Sequence, residues 1–527
     1  MAFTPAARPR ADGTWSMVLT TFRAFWAVCA LGLASACTYV PFDEHRTPSL
    51  SLSATQEHSL NPSVSQRLAG LPSKTAYFEL DNGTDALGAR LRMIEAAETS
   101  IDIATFLVKP DTAGKLIANR LLAAADRGVK VRFLLDDVFT TADDTMLASL
   151  DAHPNIALRV FNPASRHAPK SMGFVFDFKR VNRRMHIKTF VVDSSMAIMG
   201  GRNYADEYYE LKDSEAFADY DVLIFGPEAI ELDQAFDTYW NDVYSVPMHA
   251  LAPTEIATSK ALGQSLRYDI TQDEIAAYEN AINSPYLEHI RTGKISPFWG
   301  RSTLIVDTPE KLRNKNGDGP HVLAETLFQE MRRSTHQVTL ITPYFVPENY
   351  GARFFTDLVA QGLKVRVVTN SLASNNHAYV HGGYARHRKA LLQGGVELFE
   401  LRHDALEALG ETIDDTPMPL TLHTKLAVLD QDRVFIGSLN LDPRSIKTNS
   451  EIGLFVHSPA YAKSLTRELH QSVERYAYRV TLDQNGNLVW TFTGHGKTER
   501  FSQDPNATFW QHFLAKMPIW FGLESLL

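Results

Sequence analysis

Cysteine is almost missing from this chain: among 527 residues there are two, Cys29 and Cys37, and both stand near the amino terminus. The body of the protein therefore holds no disulfide framework, no zinc–thiolate site, no iron–sulfur cluster and no cysteine nucleophile. Positive charge is also in deficit, since 52 Lys and Arg face 61 Asp and Glu, for a formal net charge of −9. Such a chain has no general attraction for nucleic acid or anionic membranes, so a polyanion has to be bound by a local basic cluster.

Compositional signs of disorder are lacking as well. Hydrophobic residues make up 44% and charged residues 21% of the chain, as in an ordinary globular protein. The length exceeds what one hydrophobic core usually serves, and at roughly 150 residues per domain it predicts two to four domains.

The first apolar run has the features of a secretory signal. Arg23 precedes an apolar stretch over residues 24–34, which is too short to span a bilayer comfortably. The small residues before Cys37 resemble a bacterial lipoprotein cleavage site. We expect residues 1–36 to be a signal peptide of the lipoprotein type and Cys37 the lipid attachment site, which would place the protein in the cell envelope, facing the periplasm or the exterior. An ordinary signal peptide or a short anchor is the alternative.

Beyond this leader, the chain repeats one order of elements. In the first half, a helical pattern around residues 87–94 precedes a strand pattern over 101–106, and a second helix precedes the strand pattern 129–135. The second half shows the same order, ending in the strand pattern 363–368. Alternating helices and short apolar strands predict an α/β layer architecture, built as a duplicated domain. The predicted organisation is a flexible linker over 37–74, a first lobe over 75–246, a connector over 247–300, a second lobe over 301–480 and a C-terminal extension over 481–527.

Each half carries one polar signature. Four residues separate its Lys from its Asp, and six separate the Asp from the first Gly, in both halves. One such match is expected by chance on the order of 10⁻⁸ per start position. The repetition in corresponding places therefore indicates a functional site. Its members are His186, Lys188, Asp193, Gly200, Gly201 and Asn203 in the first half, and His423, Lys425, Asp430, Gly437, Ser438 and Asn440 in the second.

The spacing within the signature predicts separate duties. His and Lys, two residues apart in an apolar context, are expected to face the same way on a strand. Asp193, seven residues after His186, would face away, which favours a structural ion pair over catalysis. The Gly-Gly and Gly-Ser pairs allow a tight turn that returns Asn203 and Asn440 toward the histidines. Two halves around one cavity then offer two imidazoles, two ammonium groups and two amides, which suits a phosphodiester, the alternative being an anion site without chemistry.

These paired His-x-Lys-x4-Asp motifs resemble those of the phospholipase D superfamily, and the likeness covers roughly residues 75–480. Within the superfamily, the chain is similar to the bacterial cardiolipin synthase-like group in a set of short stretches: 161–163, 182–186, 200–203, 206–208, 219–223, 226–227, 370–372 and 449–453. The resemblance implies a duplicated phospholipase D-type bilobal fold, in which two β-sheet lobes flanked by helices share one active site at their interface.

The resemblance also implies covalent catalysis by two histidines, without a metal or another cofactor. One histidine attacks phosphorus and the other protonates the leaving oxygen. Symmetry within the sequence does not decide between them; by family habit His186 is the nucleophile and His423 the acid/base. Lys188 and Lys425 would supply the positive charge that a metal otherwise brings.

Acidic residues downstream of each motif hold a histidine tautomer through Nδ1 in this superfamily. Glu451 and Asp219 are the positions that the resemblance implies, with Asp221 as a rival to Asp219.

Two further features fit a lipid substrate. A basic cluster just before His186 is expected either to bind phosphate or to be a solvated loop; it consists of Lys179, Arg180, Arg183 and Arg184. The aromatic-rich stretch 509–521 would rest against lipid or, as we favour, pack onto the second lobe.

The function favoured by the resemblance is phosphatidyl transfer between phospholipids, with phosphatidylglycerol as donor and cardiolipin as product. A membrane-associated, lipid-anchored enzyme would lie beside such substrates, and no nucleic-acid partner is expected. The alternatives are hydrolysis to phosphatidic acid, nuclease activity, or a non-catalytic lipid-binding lipoprotein. The negative charge disfavours a nuclease, and the intact His and Lys of both motifs disfavour the non-catalytic alternative.

Overall fold

The structure is a computed structural model that describes residues 38–51, 74–211, 215–252, 263–264, 266–267, 270–314, 319–411, 418–494 and 496–521. The predicted signal peptide, the proposed attachment residue Cys37 and most of the predicted linker lie outside these residues. Within them, no helix is both long and apolar enough to cross a bilayer.

The first lobe is built on one mixed sheet. Its strands are β1 (Thr75–Leu80), β2 (Ser100–Thr105), β3 (Lys130–Asp136), β4 (Ile156–Phe161), β5 (Thr189–Val192), β6 (Met196–Gly200), β8 (Asp221–Phe225) and β9 (Ser245–Pro247), while β7 (Ala216–Ala218) stands outside it. The strand order is β9-β4-β3-β2-β5-β6-β8-β1, in which β2, β3 and β4 run parallel and the other pairings are antiparallel.

Helix α1 (Gly83–Ala96) covers part of this sheet because it presents an apolar stripe to it. In α1, the residues Leu87, Leu91 and Ile94 recur at helical spacing and are buried, as the sequence pattern predicts. The helices of this lobe and the following segment are α1, α2 (Thr112–Asp126), α3 (Asp144–Asp151), α4 (Gly173–Phe176), α5 (Phe178–Val181), α6 (Glu228–Trp240), α7 (Met248–Leu251), α8 (Gln272–Ile282) and α9 (Pro285–Arg291).

The second lobe repeats the sheet of the first. Its strands are β10 (Phe298–Val306), β11 (Gln337–Ile341), β12 (Lys364–Asn370), β13 (Glu397–Leu401), β15 (Leu426–Leu429), β16 (Arg433–Gly437), β17 (Ile452–His457) and β18 (Ala477–Leu482), while β14 (Leu420–Leu422) stands outside it. The order β18-β13-β12-β11-β15-β16-β17-β10 matches that of the first lobe strand for strand. The predicted duplication of one α/β domain is confirmed.

The helices of the second lobe flank its sheet in the same manner. They are α10 (Pro309–Arg313), α11 (Val322–Arg332), α12 (Glu348–Ala360), α13 (Ala378–Ala385), α14 (Arg388–Gln393), α15 (Ala405–Ala408), α16 (Pro443–Lys447) and α17 (Pro459–Tyr476), followed near the C-terminus by α18 (Phe509–Phe521).

The two lobes share backbone pairing at three places. Strand β10 pairs with β1 at its start and with β17 along the rest of its length, so the two sheets are continuous. Strand β7 of the first lobe pairs in parallel with β14 of the second. A parallel bridge between Met185 and Ser450 forms the third junction. The interface between the lobes is therefore fixed by main-chain hydrogen bonds as well as by side-chain packing.

The C-terminal residues extend the second lobe. Strands β19 (Leu488–Gly494) and β20 (Lys497–Phe501) continue its sheet beyond β18. Helix α18 packs on α13 so closely that a Cβ at Gly382 would lie 1.8 Å from the carbonyl oxygen of Ala515. The aromatic stretch therefore packs onto the second lobe as favoured, but Phe509 and Trp510 remain 75% and 67% exposed.

Candidate active site at the lobe interface

The parallel pairings between the lobes bring each motif histidine next to an acid of the other lobe. Since Met185 is paired with Ser450, the residues that follow them, His186 and Glu451, stand side by side. The Nδ1 atom of His186 lies 2.8 Å from Oε2 of Glu451. In the second junction the strand pairing ends at Leu422 and Ala218, and the next residues are again a histidine and an acid.

In this second pair, Nδ1 of His423 lies 2.6 Å from Oδ2 of Asp219. The backbone N–H of His423 also donates to the carbonyl oxygen of Ala218 at 2.8 Å. Asp221, the rival to Asp219, is committed elsewhere, since its carboxylate forms ion pairs with Arg90 at 2.8 Å and Arg202 at 3.6 Å. The contact to His423 thus belongs to Asp219.

The histidine–lysine segments differ from prediction in one respect. His186 and Lys188 were expected on a strand, yet β5 begins at Thr189, and β15 likewise begins after Lys425. The reason is that the backbone N–H of His186 donates to Ser450 of the other lobe at 2.9 Å, which takes it out of the ladder of its own sheet. Lys188 Nζ donates back to the carbonyl oxygen of His186 at 3.0 Å, so both side chains still lie on one side.

Both lysines are buried, with Lys188 3% and Lys425 2% exposed. Burial lowers the pKa of Lys188 to about 7 and that of Lys425 to about 8. Glu451 and Asp219 oppose this shift in both lysines by their negative charges. Each lysine thus responds to the acids of both lobes, which places the four groups in one cluster.

The two histidines are held neutral in this cluster. Burial and the charges of Lys188 and Lys425 lower the pKa of His186 far below its usual range, and burial and Lys425 lower the pKa of His423 to about 3. With Nδ1–H donating to a carboxylate, each Nε2 carries a lone pair.

The two acids differ in charge state. Burial raises the pKa of Glu451 to about 7. Burial acts the same way on Asp219, but the contacts with His423 and Lys425 outweigh it, so the pKa of Asp219 is lowered. Asp219 is therefore ionised throughout the physiological range, whereas Glu451 gains or loses its proton near neutrality.

The motif glycines and serine shape the space around these acids. A Cβ at Gly201 would lie 2.0 Å from Oδ1 of Asp219, so only glycine leaves room for that carboxylate. The corresponding residue of the second half, Ser438, donates its hydroxyl to Oε2 of Glu451 at 2.5 Å. A Cβ at Gly200 or at Gly437 would likewise lie 2.4 Å from a backbone carbonyl oxygen. The glycines therefore leave room for neighbouring carboxylate and carbonyl oxygens, whereas the sequence analysis explained them by a tight turn.

Asn203 and Asn440 are buried at the ends of the motifs. Asn203 Nδ2 donates to the hydroxyl of Tyr208 at 2.8 Å, and the Tyr208 ring lies edge-on 5.2 Å from the ring of His423. Among the described residues, neither asparagine has a hydrogen-bond partner for its Oδ1. Both amides are thus incompletely paired.

Asp193 and Asp430 lie away from the cluster, as expected, but the predicted ion pair is wrong for Asp193. Its carboxylate accepts backbone N–H groups of Glu98, Thr99 and Ser100 at 2.8–3.0 Å, and no cation pairs with it in the described part of the chain. Asp430 accepts the equivalent N–H groups of residues 335–337 and also lies 3.5 Å from Arg433. Each Asp therefore fixes the start of the central strand, β2 or β11.

The basic cluster before His186 is largely a structural element, which corrects its interpretation as a phosphate ligand. Arg184 is fully buried and lies 3.2 Å from Asp136. Arg180 pairs with Asp177 at 2.6 Å and also donates to the side chain of Asn162. These guanidinium groups are occupied within the first lobe.

Two aromatic residues that contact the histidines were not predicted from the sequence. The ring of Phe106 lies edge-on 4.7 Å from His186, and Phe217 stacks on His423 at 5.4 Å. Lys188 Nζ is 5.1 Å from the Phe106 centroid. Phe106 is the last residue of the predicted strand 101–106 and directly follows β2 in the structure. Its position at the carboxyl end of a strand is the signal in the sequence that points to it.

A duplicated α/β fold with two crossed histidine–carboxylate pairs and two buried lysines defines an enzyme of the phospholipase D type. Comparison of folds agrees: phosphatidylserine synthase from Haemophilus influenzae Rd KW20 matches with a TM-score of 0.56, covering 88% of this chain and 99% of that one. At 13% identity this likeness shows the fold alone.

The family follows from the sequence comparisons. The family model of the cardiolipin synthase, phospholipase D-like domain matches residues 91–240 and 327–473. The chain is 34% identical to cardiolipin synthase C of Escherichia coli (strain K12) over 464 residues, 86% of this chain and 97% of that relative. It is 25% identical to cardiolipin synthase B of the same strain over 396 residues, 74% of this chain and 78% of that relative. The protein belongs to the phospholipase D-like cardiolipin synthase family, which confirms the predicted resemblance and a phospholipid phosphatidyltransferase as the enzyme class.

Proposed function

We propose that the enzyme transfers a phosphatidyl group from phosphatidylglycerol to a hydroxyl of a second phospholipid, forming cardiolipin and releasing glycerol. The observation that carries the proposal is the pair of crossed histidine–carboxylate contacts around two buried lysines. Similarity to two cardiolipin synthases of Escherichia coli over most of the chain favours this reaction among those of the same chemistry.

In the first step, His186 is the proposed nucleophile. Its Nδ1–H donates to Glu451, which leaves the Nε2 lone pair free to attack phosphorus. The P–Nε2 bond forms while the bond to the glycerol oxygen breaks, and that oxygen receives a proton from Nε2 of His423. Because His423 is neutral before substrate binds, its Nε2 first takes up a proton from solvent as the phosphate anion enters between the two lysines. Ionised Asp219 stabilises the imidazolium that results.

In the second step, the acceptor hydroxyl gives its proton to Nε2 of His423, and its oxygen attacks the phosphohistidine. The P–Nε2 bond to His186 breaks, which restores both histidines. Lys188 and Lys425 stabilise the charge on the non-bridging oxygens throughout, and Asn203 and Asn440 are the proposed amide donors to the same oxygens.

Product analysis tests this reaction. Detergent-solubilised full-length protein is incubated with labelled phosphatidylglycerol, and the products are identified by mass. We expect cardiolipin and free glycerol from the wild type and neither from His186→Ala. Phosphatidic acid alone would assign hydrolysis, and no product from the wild type would favour the lipid-binding alternative.

The assignment of the nucleophile has its own test. Rapid quenching of the reaction followed by peptide mapping should place the phosphatidyl adduct on the peptide that contains His186. An adduct on the peptide that contains His423 would reverse the two roles.

We further propose that the protein is anchored to a membrane of the cell envelope by lipid on Cys37. The apolar run and the small residues before this cysteine support the anchor, as does the phospholipid substrate. The exposed Phe509 and Trp510 of α18 are side chains of the kind that favour the bilayer interface. Cys37→Ser should move the protein from the membrane fraction to the soluble fraction, and an unchanged distribution with no lipid adduct on Cys37 would exclude the anchor.

A further inference from the structure

Arg444, on α16, forms no ion pair with a carboxylate in the described part of the chain. Burial lowers its pKa, and the charge of Asp442 opposes this shift without cancelling it. Its Nη1 donates to Oδ1 of Asn182 at 2.6 Å, and its Nη2 donates to the carbonyl oxygen of the same residue at 3.2 Å. The side chain thus crosses from the second lobe to the first. Asn182 stands four residues before His186, so this guanidinium lies beside the approach to the proposed nucleophile.

Three buried arginines have partners of opposite charge, whereas the buried Arg159 donates to the backbone carbonyl oxygens of Trp240 and Thr47. Arg90, Arg184 and Arg388 each lie within 3.2 Å of a carboxylate oxygen. The acid nearest to Arg444 in sequence, Asp442, uses Oδ1 to accept the backbone N–H of Ser445 at 2.7 Å. A partly buried cation without a counter-ion is costly, and an anion that enters the site from outside would offset that cost.

The surroundings place Arg444 at an open edge of the site. Its charge is among those that add to burial and the two lysines in lowering the pKa of His186, and with burial it lowers the pKa of His377. The His377 ring packs near the rings of Tyr344 and Tyr379, at 5.6 and 5.5 Å. Tyr379 is 40% exposed, so this edge is accessible from solvent.

We propose that Arg444 binds the phosphate group of the molecule that accepts the phosphatidyl group. This inference rests on the proposed function, in which the acceptor is itself a phospholipid. The transferred phosphate already has the two lysines, but the acceptor brings a second phosphate, one glycerol unit away from its attacking hydroxyl. A guanidinium has five N–H donors, and the contacts to Asn182 account for two of them.

Arg444 would make the enzyme discriminate between acceptors that carry a phosphate and acceptors that do not. Water and simple alcohols carry no phosphate, so Arg444 gives them no help in reaching the phosphohistidine. An acceptor with a phosphodiester gains a charge-assisted contact beside His186. Arg444 is therefore a specificity-determining residue that favours transfer to phospholipid over hydrolysis.

The test compares two soluble acceptors that differ in the phosphate. Glycerol and glycerophosphoglycerol, the deacylated form of phosphatidylglycerol, are offered in turn to full-length protein. The donor is phosphatidylglycerol labelled in its head-group glycerol, so that the loss of label from the lipid reports transfer even where unlabelled glycerol regenerates the donor. We expect the wild type to prefer glycerophosphoglycerol, and Arg444→Gln to lower the ratio of the two kcat/KM values at least tenfold. Arg444→Lys keeps the positive charge and should retain part of the preference.

Asn182→Ala serves as the matched control, because it removes the residue that Arg444 bridges to while leaving the guanidinium in place. An unchanged acceptor ratio in Asn182→Ala supports the proposal. The proposal would be overturned if Arg444→Gln lowered kcat/KM equally for both acceptors and Asn182→Ala did the same. Arg444 would then only hold the two lobes together. Inorganic phosphate should inhibit the reaction with glycerophosphoglycerol and leave the reaction with glycerol unchanged. Equal inhibition of both reactions would mean that inorganic phosphate binds at the histidines and not at Arg444, which would contradict the proposal. Failure of the proposed function itself would look different, since the wild type would then use neither acceptor.

Discussion

At the scale of single residues, the buried lysines and Glu451 determine the pH range of the enzyme. A phosphate anion needs both ammonium groups, and the pKa values of Lys188 and Lys425 are about 7 and about 8, so each loses its charge as the pH rises through that value. Glu451, with a pKa of about 7, loses its negative charge as the pH falls below that value, and His186 then lacks its acceptor. We expect a bell-shaped profile of kcat/KM with its maximum near pH 7, because the acid limb and the first alkaline limb share that pKa.

This profile is measured from pH 5 to 10 with the wild type and with Lys188→Arg. The arginine keeps its charge over the whole range, so the alkaline limb should move to higher pH. A profile that stays flat from pH 6 to 9 would contradict the assignment.

Gly201 and Ser438 occupy corresponding positions of the two motifs but differ in residue type, so alanine substitutions at the two positions can be compared. Gly201→Ala puts a methyl group within 2.0 Å of Asp219, so we expect displacement of that carboxylate from His423 and a loss of about 10²-fold or more in kcat. Ser438→Ala removes one hydrogen bond to Glu451 and adds no atoms, which should cost about tenfold. Steady-state kinetics measures kcat of both variants, and circular dichroism checks that both are folded. Equal losses of kcat in the two variants would contradict this prediction.

At the scale of elements, the motif aspartates hold the starts of the central strands. Asp193 is 4% exposed and accepts three backbone N–H groups, so Asp193→Ala should lower the free energy of unfolding by about 2–3 kcal/mol. In Asp430→Ala, water can replace the carboxylate at the exposed N–H groups of Thr335 and His336, so the loss should be about half as large.

Urea unfolding measures both losses. Activity per folded molecule should stay near that of the wild type in both variants, because neither carboxylate reaches the histidine cluster. A large fall in kcat at unchanged stability would mean that these residues have a catalytic role.

At the scale of the whole molecule, the lobes are joined through the sheet and through the active site. Strand β10 pairs with both β1 and β17, and each histidine depends on an acid of the other lobe. We expect one cooperative unfolding transition in calorimetry, with equal calorimetric and van't Hoff enthalpies. Two separated transitions would show that the lobes fold independently and that the interface adds little stability.

The sequence by itself determined the repeat, the α/β class and the membership of the signature, because these depend on local periodicity and on spacing along the chain. His186, Lys188, His423 and Lys425 are recognisable from two identical spacings. The packing of Leu87 and its neighbours in α1 follows from helical periodicity in the same way.

Only the tertiary structure decided which acid serves which histidine. Glu451 lies 265 positions from His186, and Asp219 lies 204 positions from His423, and these contacts follow from strand pairing between the lobes. Packing within the first lobe paired Asp221 with Arg90 and Arg202 and paired two of the arginines before His186 with acids. In the described part of the chain, the tertiary structure gives Arg444 no ion pair. The pairing of each histidine with its acid depends on how two copies of one sheet meet, and no pattern within either copy contains that information.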